Sequence, residues 1–295
     1  MRPNAAGFPK ILARALKNAG ITGHNKKSNA FGLHPLALSI IYILLTLYLA
    51  EQLRKLVNHL TKSETLVRQL LLEFIATLEL CAACFELLIV ADNFGVGTYA
   101  LLLWLLTLWW STKWGDATAC PYCPMEEAFT GARTWQSALN IVAVQLVAAV
   151  FTFRYVQLLW AMELAETHKD KAYEECTADL QVDMVLGSIV ECALTCSCRV
   201  VSKILAVKSF KFCTVIDTFF ATVMVVLAFN LSGGYFNPAL ATSLKFGCAG
   251  NTIVEHVFTY WVGSCTGALL SCIIFESNAV QRFLKGESVE ERKDE

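Results

Sequence analysis

The stretch Ser232-Gly-Gly-Tyr-Phe-Asn237-Pro238-Ala239-Leu240 predicts the start of a short helix inside an apolar region. Asn is a favourable helix N-cap and Pro is favourable in the first helical turn. The residues that follow, up to 246, continue this helix for about two to three turns, whereas a membrane crossing needs about 20 residues. A half-helix inside a bilayer exposes unpaired N–H donors, which is tolerable only where they face protein or a watery path. A capped helix after an ordinary surface loop is the alternative interpretation.

The composition predicts a membrane protein. Of the 295 residues, 56% are hydrophobic and 17% are charged, and the mean hydropathy is +0.50. Soluble domains are about 45–50% apolar and about 25% charged. The net charge of −1 provides no basic surface, and no nucleic-acid-reading motif is present, so nucleic acid is excluded as a partner and the lipid bilayer is expected instead.

Six stretches are predicted to be membrane-spanning helices, because they are long and contain few or no charges. They are 66–91, 93–112, 134–153, 184–198, the first part of 212–244, and 257–275. Lys and Arg collect in 51–68, in 199–211 and in the tail, whereas 160–182 is acidic. Cytoplasmic loops are enriched in Lys and Arg, so six crossings with 51–68 and the tail in the cytoplasm satisfy every loop.

The N-terminal region does not fit this scheme directly. Residues 33–50 are apolar, but six Lys and Arg residues precede them, so a seventh crossing would place a basic arm outside. A signal peptide is the alternative, although no small-residue cleavage site stands out. We interpret 33–53 as an extra anchor or interfacial helix, and 1–65 as a basic arm followed by that helix.

Two halves of the chain repeat one design. Glu73 and Thr77 match Glu191 and Thr195 in the pattern E-x-x-x-T, and a proline follows each Glu after 48 and 47 residues, at Pro121 and Pro238. Three crossings per half is an odd number, so the second half enters the membrane inverted. The predicted layout is a first repeat over 66–160, an acidic non-cytoplasmic loop over 161–183, a second repeat over 184–275 and a cytoplasmic tail over 276–295.

With these features, residues 66–275 resemble the aquaporin (major intrinsic protein) family. The resemblance implies an all-α polytopic membrane protein, an aquaporin-like right-handed helical bundle with six spans, two re-entrant half-helices in inverted repeats and, here, the extra N-terminal helix. It implies that the two tripeptide boxes meet in mid-membrane and orient water, and that Glu73, Thr77, Glu191 and Thr195 support the re-entrant loops. It also implies a homotetramer with one pore per protomer, and no cofactor, metal or enzymatic activity.

The first box departs from the family pattern, since Cys120-Pro121-Tyr122 stands where Asn-Pro-Ala is usual. This box resembles the unorthodox or superaquaporin branch, that of aquaporins eleven and twelve, which is largely intracellular, so the endoplasmic reticulum is expected rather than the plasma membrane. Leu240 stands where the family usually has Arg. By the family's offsets, the constriction candidates are Ala100, Val225, Gly234 and Leu240, which predict a wide, weakly polar pore for water with glycerol or hydrogen peroxide.

Two alternatives to a passive channel remain. A coupled secondary transporter shares inverted repeats and broken helices, with Glu73, Glu79 and Glu191 as titrating candidates. A membrane thiol oxidoreductase would use Cys120 and Cys123 as a C-x-x-C pair, which requires a strand, a turn and a helix in a soluble fold, and no strands are predicted before it. Eight of the other cysteines lie in predicted spans as apolar fillers, and only Cys176 is a candidate for exposed oxidation.

Overall fold

A computed structural model describes residues 29–62 and 65–285. The predicted basic arm and the end of the predicted tail lie outside these residues. The helices are α1 (Pro35–Leu60), α2 (Leu66–Lys113), α3 (Tyr122–Phe129), α4 (Trp135–Trp160), α5 (Met184–Lys208), α6 (Cys213–Ala228), α7 (Pro238–Lys245), α8 (Ile253–Glu276) and α9 (Asn278–Lys285). The described part contains no β-strand beyond an isolated bridge between Thr177 and Ala249, so the all-α prediction is confirmed.

Five helices, α1, α2, α4, α5 and α8, are long and apolar enough to cross a membrane, and α6 is a shorter apolar helix of 16 residues. Helix α2 has 48 residues, but Gly95 interrupts it with a φ of 83° and a ψ of 161°. Trp114 Nε1 donates a hydrogen bond to Glu79 Oε2 at 3.0 Å, although a straight helix would separate these residues by about 50 Å. The chain therefore reverses near Gly95, and α2 contains both of the first two predicted spans.

The long helices extend beyond several predicted boundaries. Helix α5 continues to Lys208 rather than stopping at residue 198, and α8 begins four residues earlier than predicted. Residues Val257–Gly263 of α8 form a π-helical segment, a local widening that periodicity does not reveal. Helix α7 begins at Pro238 and has eight residues, as the Asn-Pro-Ala sequence predicts.

The chain divides into two compact units. Unit 1 contains Met1–Cys120, Asn140–Ala178 and Ala239–Ile253, and unit 2 contains Pro121–Leu139, Asp179–Pro238 and Val254–Glu295. Unit 1 thus combines α1, α2 and most of α4 with the short helix α7, and unit 2 combines α5, α6 and α8 with the short helix α3. Each unit unites long helices of one predicted repeat with the short helix of the other.

Helix α1 is an integral part of unit 1. Tyr42 donates a hydrogen bond to the carbonyl oxygen of Leu159 at 3.1 Å, and the hydroxyls of Thr46 and Tyr155 lie 2.9 Å apart. The buried face of α1 includes Leu38, Ile43, Leu47 and Ala50 as well as these polar residues. Proline in the first turn fixes the start of this helix. The helix therefore begins at Pro35, two residues after the start of the predicted apolar stretch.

Candidate functional site

The site begins with a buried carboxylate in unit 1, Glu73 of α2, which is 2% exposed. The backbone N–H groups of Thr118 and Ala119 donate to its two oxygens, both at 3.0 Å. Gln145 of α4 adds a third donor, Nε2, at 2.9 Å. Leaving a buried donor without its acceptor costs about 1–3 kcal/mol, so these hydrogen bonds hold the donors in place. Glu73 therefore fixes the two peptide groups that directly precede Cys120.

The second repeat builds the same arrangement inside unit 2. Glu191 of α5 is fully buried and accepts from the backbone N–H groups of Tyr235 at 3.3 Å and Phe236 at 2.8 Å. The hydroxyl of Ser232 donates at 2.6 Å, and that of Ser264 lies 3.4 Å from the second carboxylate oxygen. Glu191 therefore fixes the two peptide groups that directly precede Asn237.

We call these two arrangements the carboxylate clamps: Glu73 with Thr118 and Ala119, and Glu191 with Tyr235 and Phe236. In both, the clamped peptides occupy the two positions before the box. The residue just before each box also adopts a left-handed backbone, with a φ of 51° at Ala119 and 47° at Phe236. This conformation costs about 1–2 kcal/mol in a non-glycine residue. The carboxylate hydrogen bonds offset that cost and hold the chain in the turn that starts each short helix.

The threonines of the repeated pattern contribute differently from the glutamates. Thr77 and Thr195 are both fully buried. Within the described part of the chain, neither hydroxyl has a hydrogen-bond partner. The hydrogen bonds that hold the box loops therefore come from the glutamates rather than from the threonines, whose predicted supporting role stays a prediction.

The box residues are buried at the starts of the short helices. Cys120 is 6% exposed and ends its part of unit 1, while Pro121 and Tyr122 lead into α3 in unit 2. Asn237 is 9% exposed, and Pro238 is the first residue of α7. Ala239 is fully buried. The first N–H groups of a helix have no partner within the helix, so each box lies beside backbone donors.

The predicted constriction residues fall into both units. Val225 and Gly234 lie in unit 2 and are in direct contact, since a Cβ atom at Gly234 would come within 2.6 Å of the Val225 carbonyl oxygen. Gly234 also has a φ of +64°, so this position requires glycine. Ala100 and Leu240 lie in unit 1, and both side chains are partly exposed. The grouping of these four residues into one constriction stays a prediction.

Helix α3 is anchored in unit 2 by an ion cluster that sequence reasoning missed. Glu126 is 5% exposed and accepts from Arg199 Nε at 3.1 and 3.2 Å. Lys203 Nζ lies 3.3 Å from the same carboxylate, and the Ser271 hydroxyl lies at 3.1 Å. The available signal was the spacing of Arg199 and Lys203, which lie four residues apart and therefore on one face of α5.

Helix α7 is anchored in unit 1 by a disulfide bond that sequence reasoning also missed. Cys248, three residues after the helix, is bonded to Cys176 of the loop 161–183. Ser243 donates to the Ala149 carbonyl oxygen at 2.7 Å, and Lys245 Nζ donates to the Thr177 carbonyl oxygen at 3.0 Å. The sequence predicts exposure of Cys176 but not its pairing with Cys248. Both cysteines lie in loops predicted on the non-cytoplasmic side, and that shared side was the available signal.

The C-x-x-C pair lacks the context of a thiol oxidoreductase. Cys120 and Cys123 form no disulfide bond, and the long element before them is the helix α2 rather than a strand. Cys120 sits at the end of the loop that Glu73 clamps. The interpretation of Cys120-Pro121-Tyr122 as a pore box stays a prediction.

Comparisons with known proteins agree with this architecture. No protein-family model matches the sequence. Aquaporin-11 of Milnesium tardigradum is 27% identical over 241 residues, which cover 81% of this chain and 87% of the relative. Putative aquaporin-12A of Homo sapiens is 26% identical over 65% of this chain and 66% of its own length, and Aquaporin-12 of Mus musculus is 25% identical over 70% and 73%.

The fold itself is found among solved structures. The X-ray structure of the aquaglyceroporin from Plasmodium falciparum superposes with a TM-score of 0.57 at 12% identity, covering 75% of this chain and 99% of the other. Proteins of this kind are channels and not enzymes. The chain is therefore an integral membrane protein with the aquaporin fold, similar in sequence to the superaquaporin branch of aquaporin-11 and aquaporin-12.

Proposed function

We propose that this protein is a passive channel for water and small neutral solutes, with glycerol and hydrogen peroxide as the solutes that fit its boxes best. The aquaporin relatives and the fold support a membrane channel for water or small solutes. The observation that carries the finer proposal is the pair of carboxylate clamps. Both clamps hold the peptide groups before a short helix in the same way, so both helices present their first N–H groups at a fixed, buried position.

The chemistry of the boxes favours weak retention of water. Asn237 offers an amide with both donors and an acceptor, whereas the thiol of Cys120 is a weak donor and a weak acceptor. Leu240 follows the second box and carries neither charge nor donor. A pathway without a fixed cation has one electrostatic barrier fewer and a wider, less polar lining. Such a lining suits a neutral solute larger than water.

A coupled secondary transporter is the second candidate, and the structure supports it less. Its titrating candidates would be Glu73, Glu79 and Glu191, but all three accept hydrogen bonds from fixed groups. Glu73 and Glu191 hold the box loops, and Glu79 accepts from Trp114 and pairs with Arg54. A carboxylate that must bind and release a coupled ion would have to give up these bonds in every cycle. Saturable uptake driven by a proton or sodium gradient would favour the transporter.

The assembly and the compartment belong to the same proposal. The resemblance to the superaquaporin branch supports a homotetramer with one pore per protomer, in an intracellular membrane such as that of the endoplasmic reticulum. The disulfide bond requires the loop 161–183 to face an oxidising compartment, which the lumen of that organelle provides. Light scattering of the purified protein tests the tetramer, and immunofluorescence with an organelle marker tests the compartment.

The deciding experiment uses proteoliposomes that contain the purified full-length protein. Light scattering after an osmotic step reports water and glycerol permeability, and an encapsulated peroxide-sensitive dye reports hydrogen peroxide entry. We expect faster transport than in empty liposomes without an ionic current. Glu191→Gln should remove most of the added permeability, because the NH2 group of the amide would replace one of the two accepting oxygens and repel a clamped N–H donor. Glu175→Gln, an exposed change of the same kind, should leave it intact. Permeability equal to that of empty liposomes for all three solutes would overturn the proposal.

A further inference from the structure

We propose that the N-terminal arm, residues 1–28, docks on a groove of unit 1 at the non-cytoplasmic side of the membrane. The groove has a volume of about 180 Å³. Its lining includes the apolar residues Phe85, Trp160 and Leu244, together with three acidic residues, Asp92, Glu174 and Glu175, and two lysines, Lys171 and Lys245. We call it the rim groove. This inference goes beyond the proposed channel and does not depend on which solute passes.

The first step concerns the start of α1, where the arm leaves the described structure. Ala30 N donates to the carbonyl oxygen of Leu164 at 2.7 Å, and Asn29 Oδ1 accepts from the N–H of Glu166 at 3.0 Å. The rings of His34 and Phe94 lie 5.6 Å apart, next to the reversal of α2. The chain that enters α1 is thus fixed to the loop 161–183, which also supplies part of the rim groove.

The second step concerns the other end of α1. Arg54 is 5% exposed and forms an ion pair with the fully buried Glu79, which also accepts the Trp114 hydrogen bond. Helix α1 has 26 residues and is therefore about 39 Å long, more than the hydrocarbon thickness of about 30 Å. The two ends of α1 are held at opposite ends of unit 1, so α1 crosses the bilayer.

The third step assigns the sides. The Arg54 end of unit 1 is rich in cations, which cytoplasmic segments collect. These are Arg54, Lys55, Lys62, Arg68 and Lys113. The opposite end, with the start of α1 and the loop 161–183, is then non-cytoplasmic. The arm emerges there with six Lys and Arg residues and no Asp or Glu. A basic segment on this side contradicts the usual charge distribution, so it needs a local counter-charge.

The loop that contributes Glu174 and Glu175 to the rim groove supplies that counter-charge. Between 161 and 178 the loop has five acidic residues and only two lysines. The side chain of Glu174 is 56% exposed and pairs with Lys171 at 2.7 Å, while Glu175 is exposed and forms no ion pair with any described residue. In the arm, the apolar residues Ile11, Leu12 and Leu16 alternate with Lys10, Arg14 and Lys17. This mixture matches a groove with apolar lining residues beside an acidic loop.

The arm is long enough to reach the groove. Covalent geometry allows 28 residues to span at most about 100 Å. Since residues 29 and 30 are already bound to the loop 161–183, the arm and the rim groove are held at an effective concentration of the order of millimolar. Even a weak contact between them is then largely occupied. The arm is therefore a better occupant of the groove than a separate soluble partner.

Glycosylation tests the side of the arm in cells that modify secretory proteins. Ala6→Thr creates an acceptor sequence at Asn4, and Gly286→Asn creates one in the C-terminal tail. Glycan is added only on the non-cytoplasmic side. We expect an endoglycosidase-sensitive mass increase for Ala6→Thr and none for Gly286→Asn. Glycan on the tail alone, or on neither variant, would overturn the proposal.

Zero-length carbodiimide cross-linking of the full-length protein in liposomes tests the docking. Mass spectrometry should find amide links from Lys10 or Lys17 to Glu174 or Glu175. The double variant Glu174→Gln with Glu175→Gln should lower the yield of arm cross-links at least fivefold. The matched double variant Asp116→Asn with Glu276→Gln, which removes two carboxylates at the cytoplasmic side, should leave the yield unchanged.

Salt provides a second readout of the same contact. Raising the salt from 0.1 to 1 M shortens the Debye length from about 10 to about 3 Å and should reduce the arm cross-links. Arm cross-links that persist at full yield in the Glu174 and Glu175 double variant would show that the arm binds elsewhere, for example to anionic lipid, and the proposal would be wrong. Because these two residues are exposed, the variant is expected to fold, and none of these results depends on channel activity.

Discussion

The two short helices start alike and are anchored differently. Helices α3 and α7 both follow a carboxylate clamp, with equivalent donors one and two residues before the box. Beyond the box, Glu126 of α3 pairs with Arg199 and Lys203, whereas α7 is followed by a disulfide bond.

We propose that the difference follows from the side of the membrane on which the predicted topology places each helix. Helix α3 lies after a loop that the sequence places in the cytoplasm, where thiols stay reduced and a disulfide bond cannot be relied on. The same prediction places the loop after α7 on the opposite side, where a disulfide bond can persist. A charge cluster therefore anchors α3 on the reducing side, and a disulfide bond anchors α7 on the oxidising side.

Removing a carboxylate clamp should cause the largest loss of stability, because both halves of the chain use this arrangement to hold the loop before a short helix. Glu191→Ala leaves the N–H groups of Tyr235 and Phe236 and the Ser232 hydroxyl without their acceptor. An unsatisfied buried polar group costs about 1–3 kcal/mol, so we expect the free energy of unfolding to fall by roughly 3–6 kcal/mol. Glu73→Ala should cost a similar amount. Thermal unfolding in detergent measures both, and a loss at one clamp only would show that the two clamps are not equivalent.

Breaking the disulfide bond should destabilise α7 and leave α3 unchanged. A disulfide bond typically contributes about 2–4 kcal/mol. We expect Cys248→Ser, Cys176→Ser and the double variant to be destabilised equally, since all three remove one bond. Cys196→Ser is the matched control, because Cys196 forms no disulfide bond. Hydrogen exchange should accelerate in 238–248 but not in 122–129. Equal acceleration in both segments would contradict independent anchoring.

Breaking the ion cluster should destabilise α3 and leave α7 unchanged, with a smaller loss of stability than breaking the disulfide bond. Glu126→Gln leaves Arg199 and Lys203 without a counter-charge, but their side chains are 27% and 21% exposed, so water screens part of the penalty. We expect the free energy of unfolding to fall by about 2 kcal/mol. Hydrogen exchange should accelerate in 122–129 and not in 238–248. Glu127→Gln, at the neighbouring and more exposed carboxylate, should have little effect.

The smallest effect on stability, but a specific effect on selectivity, is expected at Leu240. Leu240→Arg places a cation with several donors just after the second box. If this side chain lines the narrowest point, glycerol permeability should fall several-fold more than water permeability. Leu240→Met, which keeps the side chain uncharged, should change neither. Equal changes in water and glycerol permeability after Leu240→Arg would argue against the predicted constriction.

The sequence predicted the start of α7, because a helix cap depends only on neighbouring residues. It also predicted the repeated pair Glu73 and Glu191, because both lie in the same short pattern and at nearly the same distance before a proline. The reversal near Gly95 was predicted from the break between two apolar runs. The partners of Glu126 and Cys248 were not predicted, because they lie 73 and 72 residues away and only the folded chain brings them together. The packing of α1 was missed for the same reason, as Arg54 finds its partner on another helix.

We propose that the two clamped short helices support a passive pathway, and stopped-flow light scattering of proteoliposomes is the most direct test of this proposal. With increasing glycerol gradients, we predict a flux that rises in proportion to the gradient without saturation, independent of proton or sodium gradients, and largely lost in Glu191→Gln. A flux that saturates and follows an ion gradient, or one that equals that of empty liposomes, would contradict the account.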